Sequence, residues 1–82
     1  MRDNGPAGEV YPGVVVEPRI MHGVPVIKGT RIPVRLVVGQ LAGGESIEAI
    51  TRAYLITEEQ VRTALRYAVD HLAQETVDFI PS

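Results

Sequence analysis

The most constraining feature of this chain is the stretch from Ser46 to Leu72, where two helical patterns meet across a gap with room only for a tight turn. Ser46-Ile47-Glu48-Ala49-Ile50-Thr51-Arg52-Ala53 reads as a short helix with Ser46 as its N-cap, a hydroxyl that accepts from an otherwise unpaired backbone N–H. Thr57 and Gln60 have the spacing of a capping box, in which two side chains each satisfy a backbone N–H of the first turn. Val61, Ala64, Leu65, Ala68 and Leu72 then recur at helical spacing and mark one buried face. Tyr54-Leu55-Ile56 offers apolar side chains to plug the angle between the two axes. A short helix, an apolar turn and a capped second helix together read as a helix-turn-helix.

Upstream, Val34, Val37, Val38 and Leu41 line one face of a preceding helix. Pro33 extends Ile32 and opens that helix, and Gly43-Gly44 ends it. Gly39 costs this helix about 1 kcal/mol relative to alanine. Close approach of another backbone would explain it, and so would chance placement. Leu36 falls off the stripe, free to meet a hairpin or a second subunit.

Before the helices, Val14-Val15-Val16 suits a strand, limited by Pro18, and Val24-Pro25-Val26-Ile27 suits its return across a turn at Met21-His22-Gly23. His22 reads as a solvated corner of that turn. The expected architecture is mainly α: a mobile leader over residues 1–12, a β-hairpin and turn over 13–33, a three-helix unit over 34–75, and an extended C-terminal tail over 76–82. In the tail, Thr76-Val77-Asp78-Phe79-Ile80 alternates enough for a strand that Pro81 stops.

Size bounds what this unit can do alone. A domain of 82 residues buries only about 60% of the surface its unfolded chain exposes. The chain has no cysteine to staple that core and two histidines, too few for a structural zinc site. Homodimerisation is therefore expected. No apolar run approaches a membrane span and Met1-Arg2-Asp3-Asn4-Gly5-Pro6 is no signal peptide, so a cytoplasmic protein is expected.

Charge sets a further condition. The net charge is −2, whereas nucleic-acid binders commonly carry a basic surplus. Residues 67–82 hold three acidic side chains and no Lys or Arg, so any phosphate contact must come from local clusters. One such cluster is Lys28-Gly29-Thr30-Arg31, readable either as an anion or partner contact around a glycine or as a plain glycine turn with Thr30 bonded locally. Another is the outward face of the third helix. With Val61, Ala64, Leu65 and Ala68 turned inward, Gln60, Arg62, Thr63 and Arg66 are left for base edges or phosphates, with Arg35 and Arg52 as added backbone contacts. Glu58 and Glu59 suit the positive helix N-terminus but oppose phosphate. No spacing assembles a catalytic constellation, a metal site or a cofactor site. Ser46 and Thr57 are better explained as caps than as nucleophiles, and His71 as a residue near the end of the third helix. Neither an enzyme nor a binder of small-molecule substrates is expected.

Two stretches resemble a known family. Glu17 through Val34 contains Pro18, then Gly23-Val24-Pro25-Val26-Ile27, then Gly29-Thr30-Arg31-Ile32-Pro33-Val34. This is similar to the signature of the family called domain of unknown function 433. Leu41–Ile50 and Thr57–Ala68 resemble its helical half. The resemblance covers about residues 14–68 and implies a homeodomain-like three-helix fold behind an N-terminal β-hairpin. It also implies a VapB-like type II antitoxin paired with a PIN-like ribonuclease toxin. The family often has Tyr-Pro-x-Leu-Thr between its second and third helices; here Tyr54-Leu55-Ile56-Thr57 is one residue shorter. Helix-turn-helix turns also often carry glycine where Leu55 falls.

An antitoxin of that kind masks a carboxylate-rich nuclease site with a basic side chain or a steric plug. Arg19, Lys28 and Arg31 are candidates for the first, and Val77, Phe79 and Ile80 for the second. It would also bind promoter DNA as a dimer. The alternatives are an interaction module of similar fold without DNA affinity, and a stand-alone transcriptional regulator.

Overall fold

Pro12-Gly13 has the sequence of a tight turn, and Gly13 takes a φ of +88° that a side chain would oppose. This turn joins β1 (Glu9–Tyr11) to β2 (Val14–Val16) in an antiparallel pair. A computed structural model describes residues 8–77, and the side chains of residues 8–71. The leader expected over 1–12 is thus corrected at residues 9–11, which form a strand, while residues 1–7 lie outside the described residues. Val10-Tyr11 is a short β signal, and three residues hold a strand only by pairing with β2.

β2 also pairs with β3 (Pro25–Ile27), with Val14 opposite Ile27 and Val16 opposite Pro25. The result is a three-stranded sheet in the order β1-β2-β3, where a two-stranded hairpin was expected. Between β2 and β3 the turn falls where the sequence put it, but it is left-handed. Met21, His22 and Gly23 have φ of 51°, 59° and 83°, a conformation that costs roughly 1–2 kcal/mol for each residue other than glycine. The Gly23 and Val24 N–H groups donate to Ile20 and Met21 carbonyls at 3.1 and 3.3 Å and hold the turn closed.

After β3 the chain reverses through Lys28-Gly29-Thr30-Arg31. Thr30 Oγ1 donates to the Ile27 carbonyl at 2.8 Å and accepts from the Ile32 N–H at 2.9 Å. Pro33 bridges Val26, so α1 (Val34–Ala42) leaves directly from the sheet. It ends on a glycine motif in which Gly44, at φ +102°, lets the Glu45 N–H reach the Gln40 carbonyl at 3.0 Å.

α2 (Ile47–Tyr54) and α3 (Glu58–Val77) carry the caps that the sequence specifies. Ser46 Oγ accepts from Ala49 N–H at 3.0 Å. Thr57 Oγ1 accepts from Gln60 N–H at 3.0 Å, while Gln60 Oε1 accepts from Thr57 N–H at 2.8 Å. Leu55 takes the left-handed position of the turn (φ 57°, ψ 43°) and is 89% exposed, so the plugging falls to buried Ile56 and half-buried Tyr54.

The core is one cluster to which five elements and the turn contribute. Val14, Ile27, Val34, Val37, Ile50, Ile56, Val61 and Ala64 are buried together, and Val38, Leu41, Tyr11 and Tyr67 pack partly against them. Leu65 and Ala68 are half-buried, and Leu72 lies beyond the described side chains.

The extended tail is corrected in part, because Thr76 and Val77 continue α3. Adding a residue to an established helix gains a hydrogen bond, whereas an unpaired strand gains none. Phe79 and Ile80 lie outside the described residues.

Two substitutions in the α2–α3 turn should move stability in opposite directions. Thr57→Ala removes a cap and is expected to cost about 1 kcal/mol. Leu55→Gly relieves the left-handed strain and gives up little buried surface, so a gain of up to about 1 kcal/mol is expected after the entropy of glycine is subtracted. Urea denaturation of both variants measures the two signs.

Candidate functional site

The sheet is braced against α3 along one helical face. A Cβ at Gly13 would lie 2.8 Å from Thr63 Cγ2, so only glycine lets the β1–β2 turn approach this closely. Further along, Tyr11 Oη donates to Asp70 Oδ2 at 2.6 Å, and the Tyr11 and Tyr67 rings meet edge-to-face at 5.3 Å. The hydrogen bond to Asp70 raises the Tyr11 pKa above the usual tyrosine value.

This bracing changes the surface expected to read DNA. Thr63 is half-buried with its methyl toward Gly13, which corrects its placement on the outward face. Gln60 is half-buried too, with its carbonyl committed to the capping box. Arg62 and Arg66 remain exposed but are paired: Arg62 to Glu58 at 3.5 Å, Arg66 to Glu59 at 2.7 Å. The Arg66 guanidinium holds the Glu59 carboxyl below the usual glutamate range. Both pairs are solvent-exposed and weak, so a stronger anion can displace them. Arg52 is exposed in the last turn of α2, where a cation suits the helix C-terminus.

Arg35 is not part of this surface. It stands in the first turn of α1 beside Tyr67, Ala68 and His71, residues that begin about 14 Å along α3 from Glu58. These side chains border an apolar groove of about 490 Å³ between α1 and the middle of α3. Val34, Val38, Gly39 and Ala42 form its α1 wall, and Val24 and Pro25 also line it. Gly39 has nothing within 4 Å of where its Cβ would stand, so no close backbone contact among the described residues accounts for it. His71 is not near a helix end, since α3 continues to Val77; it lies 3.2 Å from Tyr67 Oη. No motif drew attention to Tyr67, Ala68 or His71 as a group, because their joint placement depends on how α1 crosses α3.

The residues expected to contact a toxin are dispersed. Lys28 is joined to Glu9 at 3.0 Å, with Glu9 also accepting from the Gly13 N–H at 3.1 Å. Arg31 is exposed at the same chain reversal, and Arg19 is exposed in the loop before the left-handed turn. Val77 is helical in its backbone, and Phe79 and Ile80 are outside the described residues. Among the described residues no three His, Cys, Asp or Glu side chains gather as a metal would require, and no helix is long and apolar enough to cross a membrane.

Three helices backed by a small antiparallel sheet define the class of fold, mainly α with an N-terminal sheet. Residues 14–68 match the family described as Protein of unknown function (DUF433), and the chain belongs to it. It is 39% identical over 56 residues to protein y4eO of Sinorhizobium fredii, covering 67% of this chain and 25% of that one. It is 38% identical over 52 residues to a Mycobacterium tuberculosis protein named "Putative antitoxin VapB45", covering 63% of this chain and 22% of that one. The crystal structure of Rv2018 from Mycobacterium tuberculosis superposes with a TM-score of 0.59 at 38% identity, over 63% of this chain and 24% of that chain. The chain thus spans about a quarter of the length of these relatives.

The Glu9 carboxyl is held below its usual range of 4.5, first by the Gly13 N–H and then by Lys28. A depressed folded-state pKa contributes stability that is present above the unfolded value and lost as pH falls through the folded one. Glu9→Gln should therefore lower stability at neutral pH, flatten the acid limb, and converge with the parent chain as pH falls below the ordinary glutamate range. Urea midpoints across that limb test this.

Proposed function

We propose that this chain is the antitoxin of a type II toxin–antitoxin pair, a homodimer that binds a PIN-like ribonuclease and neutralises it without being an enzyme itself. The observation that carries this reading is the 38% identity to a protein named an antitoxin across a region that includes the helical core. The net charge of −2 fits a protein partner at least as well as nucleic acid. In this reading Arg31, Arg19 and Lys28 approach the carboxylates of the nuclease site, and Val77, Phe79 and Ile80 add apolar contact.

Autoregulation of its own promoter is the second reading, favoured by the helix-turn-helix and by Arg52, Arg62 and Arg66 around it. Glu58 and Glu59 act against it by neutralising two of those cations. Arg35 belongs to a different face, so it is left out of this surface, and Thr63 and Gln60 contribute little beyond register.

Co-expression with the protein encoded beside it should relieve that protein's growth arrest, and a ribonuclease assay on the purified pair should show suppressed cleavage. Persistent arrest with both proteins soluble would defeat the antitoxin reading. For promoter binding, Arg62→Ala with Arg66→Ala should weaken an electrophoretic shift of upstream DNA roughly tenfold or more. Glu58→Gln with Glu59→Gln should strengthen it at low salt. A wild-type chain that shifts no upstream DNA at low salt leaves the interaction module without DNA affinity.

A further inference from the structure

Among the described residues, nothing fills the groove between α1 and α3. Gly39 weakens the helix it sits in, and no neighbouring backbone among the described residues requires it. Its effect is to keep the groove open, with Ala42 on the same helix and Ala68 opposite. The lining is almost wholly apolar side chain, and the polar groups come from Arg35 and His71 at its border. Arg35 makes no ion pair among the described residues and sits in a first helical turn that has no acidic side chain. Its guanidinium therefore adds to the positive end of the α1 dipole.

We propose that this groove receives an amphipathic helix of a partner protein, its apolar side chains seated over Gly39 and a carboxylate paired with Arg35. That the partner is the toxin rests on the antitoxin reading; the groove's chemistry does not. Charge complementarity selects an acidic segment, because Arg35 sets an unpaired cation beside an apolar floor. The ten described residues that line the groove suit a single docked helix. Helix-in-groove docking places anchors at every third or fourth position, a spacing that matches a trough between two helices with small residues on both walls.

The test uses the full chain, labelled with ¹⁵N, and two synthetic amphipathic peptides with the same leucine face, one flanked by glutamates and the other by lysines. The acidic peptide should shift the amides of Val38, Gly39, Ala42 and Ala68 saturably, about tenfold more tightly than the basic one. Arg35→Glu should reverse that preference. Gly39→Leu should fill the groove and abolish binding while the melting temperature is maintained or raised, since leucine is the better helix former. Shifts confined to other faces, absence of saturation, or binding unaffected by Gly39→Leu would overturn the proposal. So would groove amides that move with protein concentration alone, which would assign the site to a second copy. In the co-expression assay, Gly39→Leu should lose rescue; a variant that rescues as well as wild type sinks the groove and leaves the antitoxin reading standing.

Discussion

One shared core governs this structure, because every element gives it only one or two side chains. Val61 and Ala64 of α3 meet Ile50 from α2, Val34 and Val37 from α1, and Val14 and Ile27 from the sheet. No pair of these elements could bury enough apolar surface to persist without the rest. The sheet is far too short to stand alone, and α1 and α2 span about two turns each. Their order is borrowed from α3, the one element long enough to touch all the others. The domain should consequently lose its parts together.

That dependence explains which features were legible in the residues. Caps are local, so Ser46, Thr57 and Gln60 declared both helix starts, and the spacing of Val34, Val37, Val61 and Ala64 declared the buried faces. β1 was missed because its evidence is nonlocal: Glu9–Tyr11 is a strand only because β2 lies beside it and Tyr11 reaches Asp70, fifty-nine residues on. The end of α3 was missed for the opposite reason, since a short alternation was credited against a helix already under way. Leu55 shows a third case. A non-glycine residue takes the left-handed turn position because Ile56 must then point inward, and its burial offsets the strain.

The candidate surfaces were legible as residue types and not as partners. Arg62 and Arg66 were visible as exposed cations, but their pairing with Glu58 and Glu59 follows from side-chain reach along α3, and it leaves that face nearly neutral. Arg35 was grouped with them by charge alone, and the crossing of α1 over α3 moved it to another side of the molecule. Gly39 stands out as an anomaly in its helix, and the fold sets it against open space.

Thr63, Tyr67 and Asp70 lie along one line of α3, and the sheet is fastened to that line at both ends. The Gly13 approach fixes one end and the Tyr11 hydrogen bond the other, two helical turns apart. Fastened twice, the sheet has no pivot about which to swing. The Lys28–Arg31 reversal, whose Lys28 N–H donates to the Gly13 carbonyl, is carried on the same rigid frame. A macromolecule that gripped this loop would therefore have its bearing on α3 set in advance, and would lose little orientational freedom on touching both.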